Sequence, residues 1–271
     1  MDSRDDYARK LYLSDFLREP VIRDAIRELG LREGSHVLDA GCGIGSHLSL
    51  LAEQVGPAGR VTGLDMSSDN LAVAEASARD AGLAERISVV QGDVNNLPFD
   101  DDEFDWIWSC DCVGYPKATN PSALFRETKR VLRPGGTLAI LGWLCQQLLP
   151  GHSLLEARLN TASSLASAYL PEDVPESQFM RAPGWFHEAG FAEIRGRAFT
   201  GGVQAPLSEN EKEALLSLFD MLWGGSQSHV SDEDWSAYRR ISDPESQDFI
   251  LDRPDYYAFY TYVMFTGKAE G

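Results

Sequence analysis

The sequence predicts an α/β fold built on a parallel sheet, and three observations point to it. Over the first 145 residues, short apolar runs of strand type alternate with segments of helical period, the pattern of βαβ units whose right-handed crossovers build parallel sheets. Glycine, proline and asparagine mark the joins between these segments. Of 271 residues, 43% are hydrophobic and 10% aromatic, enough to bury a sizeable core and to exclude a disordered chain.

Each element follows from its own residues. Val21, Ile22, Ala25, Ile26 and Leu29 share one helical face in 21–29, and Gly30 ends that helix. Residues 36–39 read as a short buried strand, and 46–55 as a helix ended by Gly56-Pro57. A second strand over 60–64 is followed by a helix over 67–81 that Gly82 stops. Strands three and four fall at 87–91 and 104–109, and 121–132 is a helix with Asn120 as cap and Pro121 at its first position. The Arg133-Pro134-Gly135-Gly136 turn then delivers a fifth strand over 137–143.

The remainder has a different texture. Residues 192–200 and 257–268 read as strands, the second dense in the aromatic and branched residues that strands favour. Two mainly helical stretches, 146–182 and 202–256, are too long for simple connections and are expected to be cap elements around a substrate site. The chain is thus read as one domain, with an amino-terminal arm over 1–30, a core over 31–145, the two cap insertions, and its last sheet strands over 191–200 and 257–268.

Charge and composition exclude several classes of function. The net charge is −18, with 42 acids against 24 bases shared between both halves of the chain, so no basic stripe is offered to nucleic acid. No segment is long and apolar enough for a membrane span, and the charged amino terminus leads into no signal-type stretch, so a cytoplasmic location is expected. Four cysteines are too few for a disulfide scaffold of this length. Oligomeric state is not specified by any of these features.

The informative motif is Val37-Leu38-Asp39-Ala40-Gly41-Cys42-Gly43-Ile44-Gly45, where a buried strand turns into a helix. Glycines allow a sharp turn and a close backbone approach to a ligand. A dinucleotide loop would want G-x-G-x-x-G, but here the spacing is G-x-G-x-G and Ser46 stands at the third-glycine position. Asp39 at the strand end is awkward beside a pyrophosphate and suits an ammonium group. Asp65 ends strand two, where an acid can accept both hydroxyls of a ribose, and Met66 beside it can lie against an adenine. Asp93 follows strand three and can accept from an adenine amino group. Three acids at three successive strand ends form one constellation, on the sheet edge where open α/β folds bind ligands.

VLDAGCGIG, VTGLDMS, VVQGDVNNLPFDDDEFDWIWS and RVLRPGGTLAIL together resemble the class I S-adenosylmethionine-dependent methyltransferases, particularly the ubiquinone and menaquinone C-methyltransferase type, over about residues 30 to 145. The resemblance implies a Rossmann-like seven-stranded sheet of order 3-2-1-4-5-7-6, last strand antiparallel, helices on both faces and a mainly helical cap. It implies S-adenosyl-L-methionine as cofactor and S-adenosyl-L-homocysteine as product. Gly41 and Gly43 would approach the cofactor, with Cys42 and His47 in and after the same loop. Asp39 would lie near its amine and Asp65 on its ribose. Asp93 with Val94 would flank the adenine, and Ser109, Cys110 and Asp111 would lie under the sulfonium.

Methyl transfer from a sulfonium is an in-line displacement for which positioning can suffice, and a base is needed only if the acceptor loses a proton. His152, after strand five, is the candidate base. Tyr7, Tyr12, Tyr115, Trp143, Trp223 and Tyr257 are candidate walls for a small-molecule acceptor. The acidic balance of 203–256, 12 acids and 4 bases, would favour a cationic amine. Cys42, Cys110, Cys112 and Cys145 all fall near strand ends, so a thiolate cluster for a soft metalloid is a minority reading; no resident metal is expected. A nicotinamide dehydrogenase and a non-catalytic cofactor-binding protein are the alternatives from other classes.

Overall fold

A computed structural model describes residues 3–113, 121–162 and 178–270, with the side chains of residues 3–8 and 11 outside that description. The chain divides into two compact units, the larger formed by Ile22–Trp143, Val174–Phe199 and Tyr262–Gly271, the smaller by Met1–Val21, Leu144–Asp173 and Thr200–Thr261.

Seven strands form one sheet in the order β3-β2-β1-β4-β5-β7-β6, with β7 antiparallel and helices around it. They are β1 (His36–Ala40), β2 (Arg60–Asp65), β3 (Ile87–Gln91), β4 (Phe104–Cys110), β5 (Leu132–Gln147), β6 (Phe191–Gln204) and β7 (Tyr257–Ala269). β1 sits between β2 and β4, parallel to both. Val37, Leu38 and Ala40 are buried, as a strand covered on both faces requires. The register sets Asp39 opposite Gly63 on one side and Trp108 on the other. That places a carboxylate between a glycine and a tryptophan whose indole N–H is turned to His47.

β5 and β6 run on past their expected ends to Gln147 and Gln204, and two elements begin elsewhere than the sequence reading places them. β5 begins at Leu132, ahead of the expected turn, because Phe104 pairs with Leu132 and Trp106 with Thr137. Arg133-Pro134-Gly135-Gly136 is therefore a bulge inside a strand. Pro134 has no amide to give to the ladder, Gly135 takes φ +79°, and Arg133 holds the bulge by an ion pair with Asp105 at 2.7 Å. The first helix, α1 (Ser3–Glu28), begins well before residue 21 and carries Pro20 inside it. Its apolar face extends back to Leu17, which sustains the helix through the proline's missing amide.

In the larger unit, α2 (Leu48–Gln54) and α3 (Ser68–Asp80) follow β1 and β2, and Ser67 caps α3 by accepting from the Asn70 amide. α4 (Pro121–Val131) buries Leu124, Phe125, Thr128 and Val131; its expected cap, Asn120, lies outside the described residues. Phe125 meets Phe186 of α6 (Ala182–Glu188) edge-on at 4.8 Å, in a core shared with Leu38, Ile107 and Ile140.

The smaller unit holds α5 (Ser153–Thr161), α7 (Glu209–Trp223) and α8 (Asp232–Ser242). Ser208 and Glu211 form a capping box on α7. Glu156 is buried, and its carboxylate accepts from the Leu148 and Leu149 amides at 2.6 and 3.0 Å. The Tyr256 hydroxyl donates to the Leu148 carbonyl, so this segment is tied down from two sides.

Candidate active site

The loop after β1 needs its glycines for separate reasons. At Gly41, φ is +82°, and a side-chain carbon there would lie 2.6 Å from the Cys112 sulfur. Gly45, also at +82°, would put one 2.6 Å from the Ala74 Cβ of α3. These two glycines let the loop close on its own protein. Gly43 differs, because among the described residues nothing lies within 4 Å of the corresponding point. Its amide donates to Asp65 Oδ2 at 3.0 Å, which ties the loop to the end of β2.

Asp39 lies beneath that loop and is 1% exposed. Among the described residues neither carboxylate oxygen has a hydrogen-bond partner. Burial, with the charge of Asp65 adding to it, pushes the Asp39 carboxyl up to about 8. An ionised carboxylate in such a place is costly unless a cation or strong donor meets it. An ammonium group is the kind of partner that would satisfy it, so the residues present fit an amino-acid-bearing cofactor.

The other acids are better satisfied. Asp65 Oδ1 accepts from the Ser67 amide at 2.9 Å and the Asn70 side chain at 3.5 Å. A carboxylate has about four acceptor positions, so Asp65 can both hold the loop and accept hydroxyls. Met66 beside it is 62% exposed, an apolar surface suited to a flat ring. Asp93 Oδ1 accepts from the amide and the side chain of Asn95, both at 2.8 Å, shaping its own turn. Val94 is buried in the core with Leu64 and Leu97.

Other residues expected at the cofactor have structural work. His47 Nδ1 accepts from the Trp108 indole at 3.4 Å, and His47 makes no side-chain capping bond to α2. The Ser109 hydroxyl donates to the Ala40 carbonyl at 2.7 Å, pinning β4 to β1. Asp111 stands at φ +50° and binds the Trp143 amide and the Tyr262 hydroxyl. Cys110 is buried next to it.

Burial, aided by Asp39 and Asp65, pushes the Cys42 thiol well above its ordinary range, and burial pushes Cys112 up to about 12. Neutral thiols are poor metal ligands, and among the described residues no group of three or more His, Cys, Asp or Glu side chains is placed to hold a metal ion. Cys145 is exposed, in the smaller unit.

The candidate acceptor residues divide. Trp143 is half-buried and meets Tyr262 edge-on at 5.4 Å. Trp223 is fully buried; its indole donates to Asn160 at 2.9 Å and its ring packs on Phe219 and Tyr238. Its ring is thus taken up by packing within the smaller unit. Tyr12 and Tyr257 are exposed, and His152 stands at the start of α5, all three in the smaller unit. Tyr115 and the Tyr7 side chain lie outside the described residues. Tyr262 was not singled out from the sequence, because its partner Asp111 is 151 positions away.

A family model described as a methyltransferase domain matches residues 37–136. A demethylmenaquinone methyltransferase of Staphylococcus aureus is 31% identical over 214 residues, covering 73% of this chain and 86% of the relative. The chain belongs to the class I S-adenosylmethionine-dependent methyltransferases, of the quinone C-methyltransferase type. Its fold is shared by an S-adenosylmethionine-dependent methyltransferase from Aquifex aeolicus, with TM-score 0.54, 19% identity and 96% of each chain covered. It is also shared by a Haemonchus contortus phosphoethanolamine N-methyltransferase solved with S-adenosyl-L-methionine, with TM-score 0.57, 17% identity, and 96% of this chain and 56% of that one covered. The methyltransferase uses S-adenosyl-L-methionine as its cofactor, and the dehydrogenase and non-catalytic alternatives are not favoured. No described helix is long and apolar enough to cross a membrane.

Proposed function

We propose that this methyltransferase moves a methyl group to a small-molecule acceptor carrying a flat aromatic ring of quinol type, chiefly by positioning the two reactants. The observation that carries the cofactor half of this reading is Asp39, a buried carboxylate whose two oxygens have no hydrogen-bond partner among the described residues. Asp39 would hold the cofactor's ammonium group, Asp65 its ribose hydroxyls and Met66 one face of its adenine. When bound, the cofactor supplies an electrophilic methyl carbon on a sulfonium leaving group.

The acceptor half is supported by the relative named for demethylmenaquinone and by the Trp143 ring at the carboxyl half of β5. Such a ring can lie flat against an acceptor and limit its approach to one direction. The acidic balance of the chain, −18, opposes a polyanionic acceptor. A quinol carbon gains nucleophilicity when its hydroxyl loses a proton, and His152 is proposed as the accepting base.

The test is a panel. Purified protein with S-adenosylmethionine is offered a hydroxynaphthoquinol, a simple phenol, a primary amine and a carboxylate, and S-adenosylhomocysteine is measured. The proposal expects turnover on the quinol above the others. Turnover confined to the amine or the carboxylate overturns it.

A further inference from the structure

Three cations share one face of α4. Arg126, Lys129 and Arg130 follow i, i+3 and i+4 spacing, which sets them side by side on a helix, in a chain whose net charge is −18. They border a cavity of about 490 Å³ between α4 and α6. Both helices belong to the larger unit. The volume falls within the roughly 300–1,000 Å³ of small-molecule sites. Asp39, Asp65 and Met66 do not line it, so it is not the space assigned to the cofactor.

The three cations differ in what already answers them. Arg130 is held by Glu127 and Asp101, each at 2.8 Å, and donates to the Leu97 and Phe99 carbonyls. Its task is structural, tying α4 to the segment ahead of β4. Lys129 donates to the Gly190 carbonyl at 2.8 Å, a neutral acceptor, so among the described residues no carboxylate is bonded to its charge. Arg126 is exposed and, among the described residues, makes no hydrogen bond or ion pair. Like charges left side by side on a helix repel, and an anion between them relieves that repulsion.

The inner wall of the cavity is apolar. Phe125 and Trp185 stand edge-on with ring centroids 6.1 Å apart, and Ala189 continues the same lining. Glu188 is the single acid among the lining residues, which disfavours a polyanion and leaves the balance suited to one negative charge.

We propose that this cavity is a second ligand site, taken by a small aromatic acid whose carboxylate meets Arg126 and Lys129 and whose ring lies along the apolar wall. A carboxylate matches a guanidinium through two parallel hydrogen bonds, and the aliphatic stems of Arg126 and Lys129 extend the apolar surface toward the charged rim. Lys129 already reaches across to Gly190, just past α6. A bound acid therefore joins α4 to α6 and stabilises the folded larger unit by mass action. The site goes beyond the methyl transfer proposed above and does not depend on which acceptor is used.

The test uses the full chain and three probes: 2-naphthoate, 2-naphthalenemethanol, which keeps the ring without the charge, and inorganic phosphate, which keeps charge without the ring. Backbone amide shifts follow binding. 2-Naphthoate is expected to bind with a Kd of about 0.1–1 mM, to shift amides within 122–130 and 185–190, and to raise Tm. The other two probes should bind about 10-fold more weakly or worse. Arg126→Gln removes that guanidinium. Ser122→Glu sets an acid on the rim at the start of α4, where the helix dipole accepts it. Each should weaken naphthoate about 10-fold and leave S-adenosylhomocysteine affinity within about twofold.

Naphthoate binding that is equal in the wild type and both variants overturns the proposal. So do shifts centred elsewhere in the chain, equal binding of the uncharged alcohol, or no binding at about 10 mM. A glutamate-rich peptide that binds this face while naphthoate does not makes it a protein-docking surface and overturns the proposal too. S-adenosylhomocysteine binding and quinol turnover are read separately, so failure here leaves the proposed function standing.

Discussion

If Asp39 holds the cofactor's ammonium group as proposed, its buried carboxyl, without a hydrogen-bond partner among the described residues, makes cofactor binding a proton-linked event. In the ligand-free fold burial, and then the charge of Asp65, push this carboxyl up to about 8 from its ordinary 3.8. An acid whose folded pKa is raised binds more protons in the folded than in the unfolded state between those two values. Stability of the ligand-free protein therefore falls as pH rises from about 4 to about 8 and levels off above that. At about 1.4 kcal/mol per pH unit the loss is on the order of 5 kcal/mol. An ammonium ligand meets the ionised form, so below pH 8 its binding must expel the Asp39 proton. Affinity for S-adenosylmethionine then weakens as pH is lowered, by up to about tenfold per unit. The ligand's own α-ammonium is already mostly protonated at pH 7, since such groups titrate at about 8, and takes up little to cancel the release.

Calorimetry at pH 7 in buffers of different ionisation enthalpy counts the protons. The wild type is expected to release close to one per ligand bound. Asp39→Asn should release none, bind the ligand more weakly, and in the ligand-free state gain stability over the wild type above pH 8. Binding that is independent of pH between 6 and 8, with no buffer dependence of its enthalpy, refutes the reasoning.

Three further outcomes follow from the same geometry. Gly45→Ala forces a side chain into left-handed backbone and into the Ala74 Cβ at 2.6 Å; urea unfolding should show a loss of about 2–4 kcal/mol. Trp223→Ala removes a fully buried ring and should cost about 3–5 kcal/mol, with the acceptor KM of the folded fraction unchanged; a raised KM at unchanged stability would return Trp223 to the acceptor site. Iodoacetamide at pH 8 should label the exposed Cys145 before the buried Cys42 and before Cys112, whose thiol is held protonated; mass spectrometry of partly labelled protein reads the order, and faster labelling of Cys112 contradicts the electrostatics given for it.

Much of the sheet was legible because buried parallel strands are written as local apolar runs. β1, β2, β3 and β4 end within one residue of where those runs end. β5 was misjudged at its start because Arg133-Pro134-Gly135-Gly136 has turn chemistry, whereas only the pairing with β4 shows that it bulges within a strand. α1 was begun too late because Pro20 reads locally as a break and the apolar face beyond it outweighs that signal. At the site, Asp39 was legible as an acid suited to an amine. Its lack of a hydrogen-bond partner among the described residues was not, since that depends on Gly63 and Trp108 from other strands. Val94 and Trp223 show the opposite limit: their burial comes from residues remote in sequence, and no local pattern separates a core aromatic or valine from one facing a ligand.

Methyl transfer from S-adenosylmethionine to a small molecule can be followed with a labelled methyl group. The most direct measurement incubates the protein with methyl-labelled S-adenosylmethionine and a quinol-type acceptor, and follows the label through separated small-molecule, protein and nucleic-acid fractions, with Asp39→Ala beside the wild type. Label should appear in the small-molecule fraction, matched by S-adenosylhomocysteine, and fall sharply in the variant. Label in protein or nucleic acid, or wild-type transfer that survives Asp39→Ala undiminished, would contradict the account.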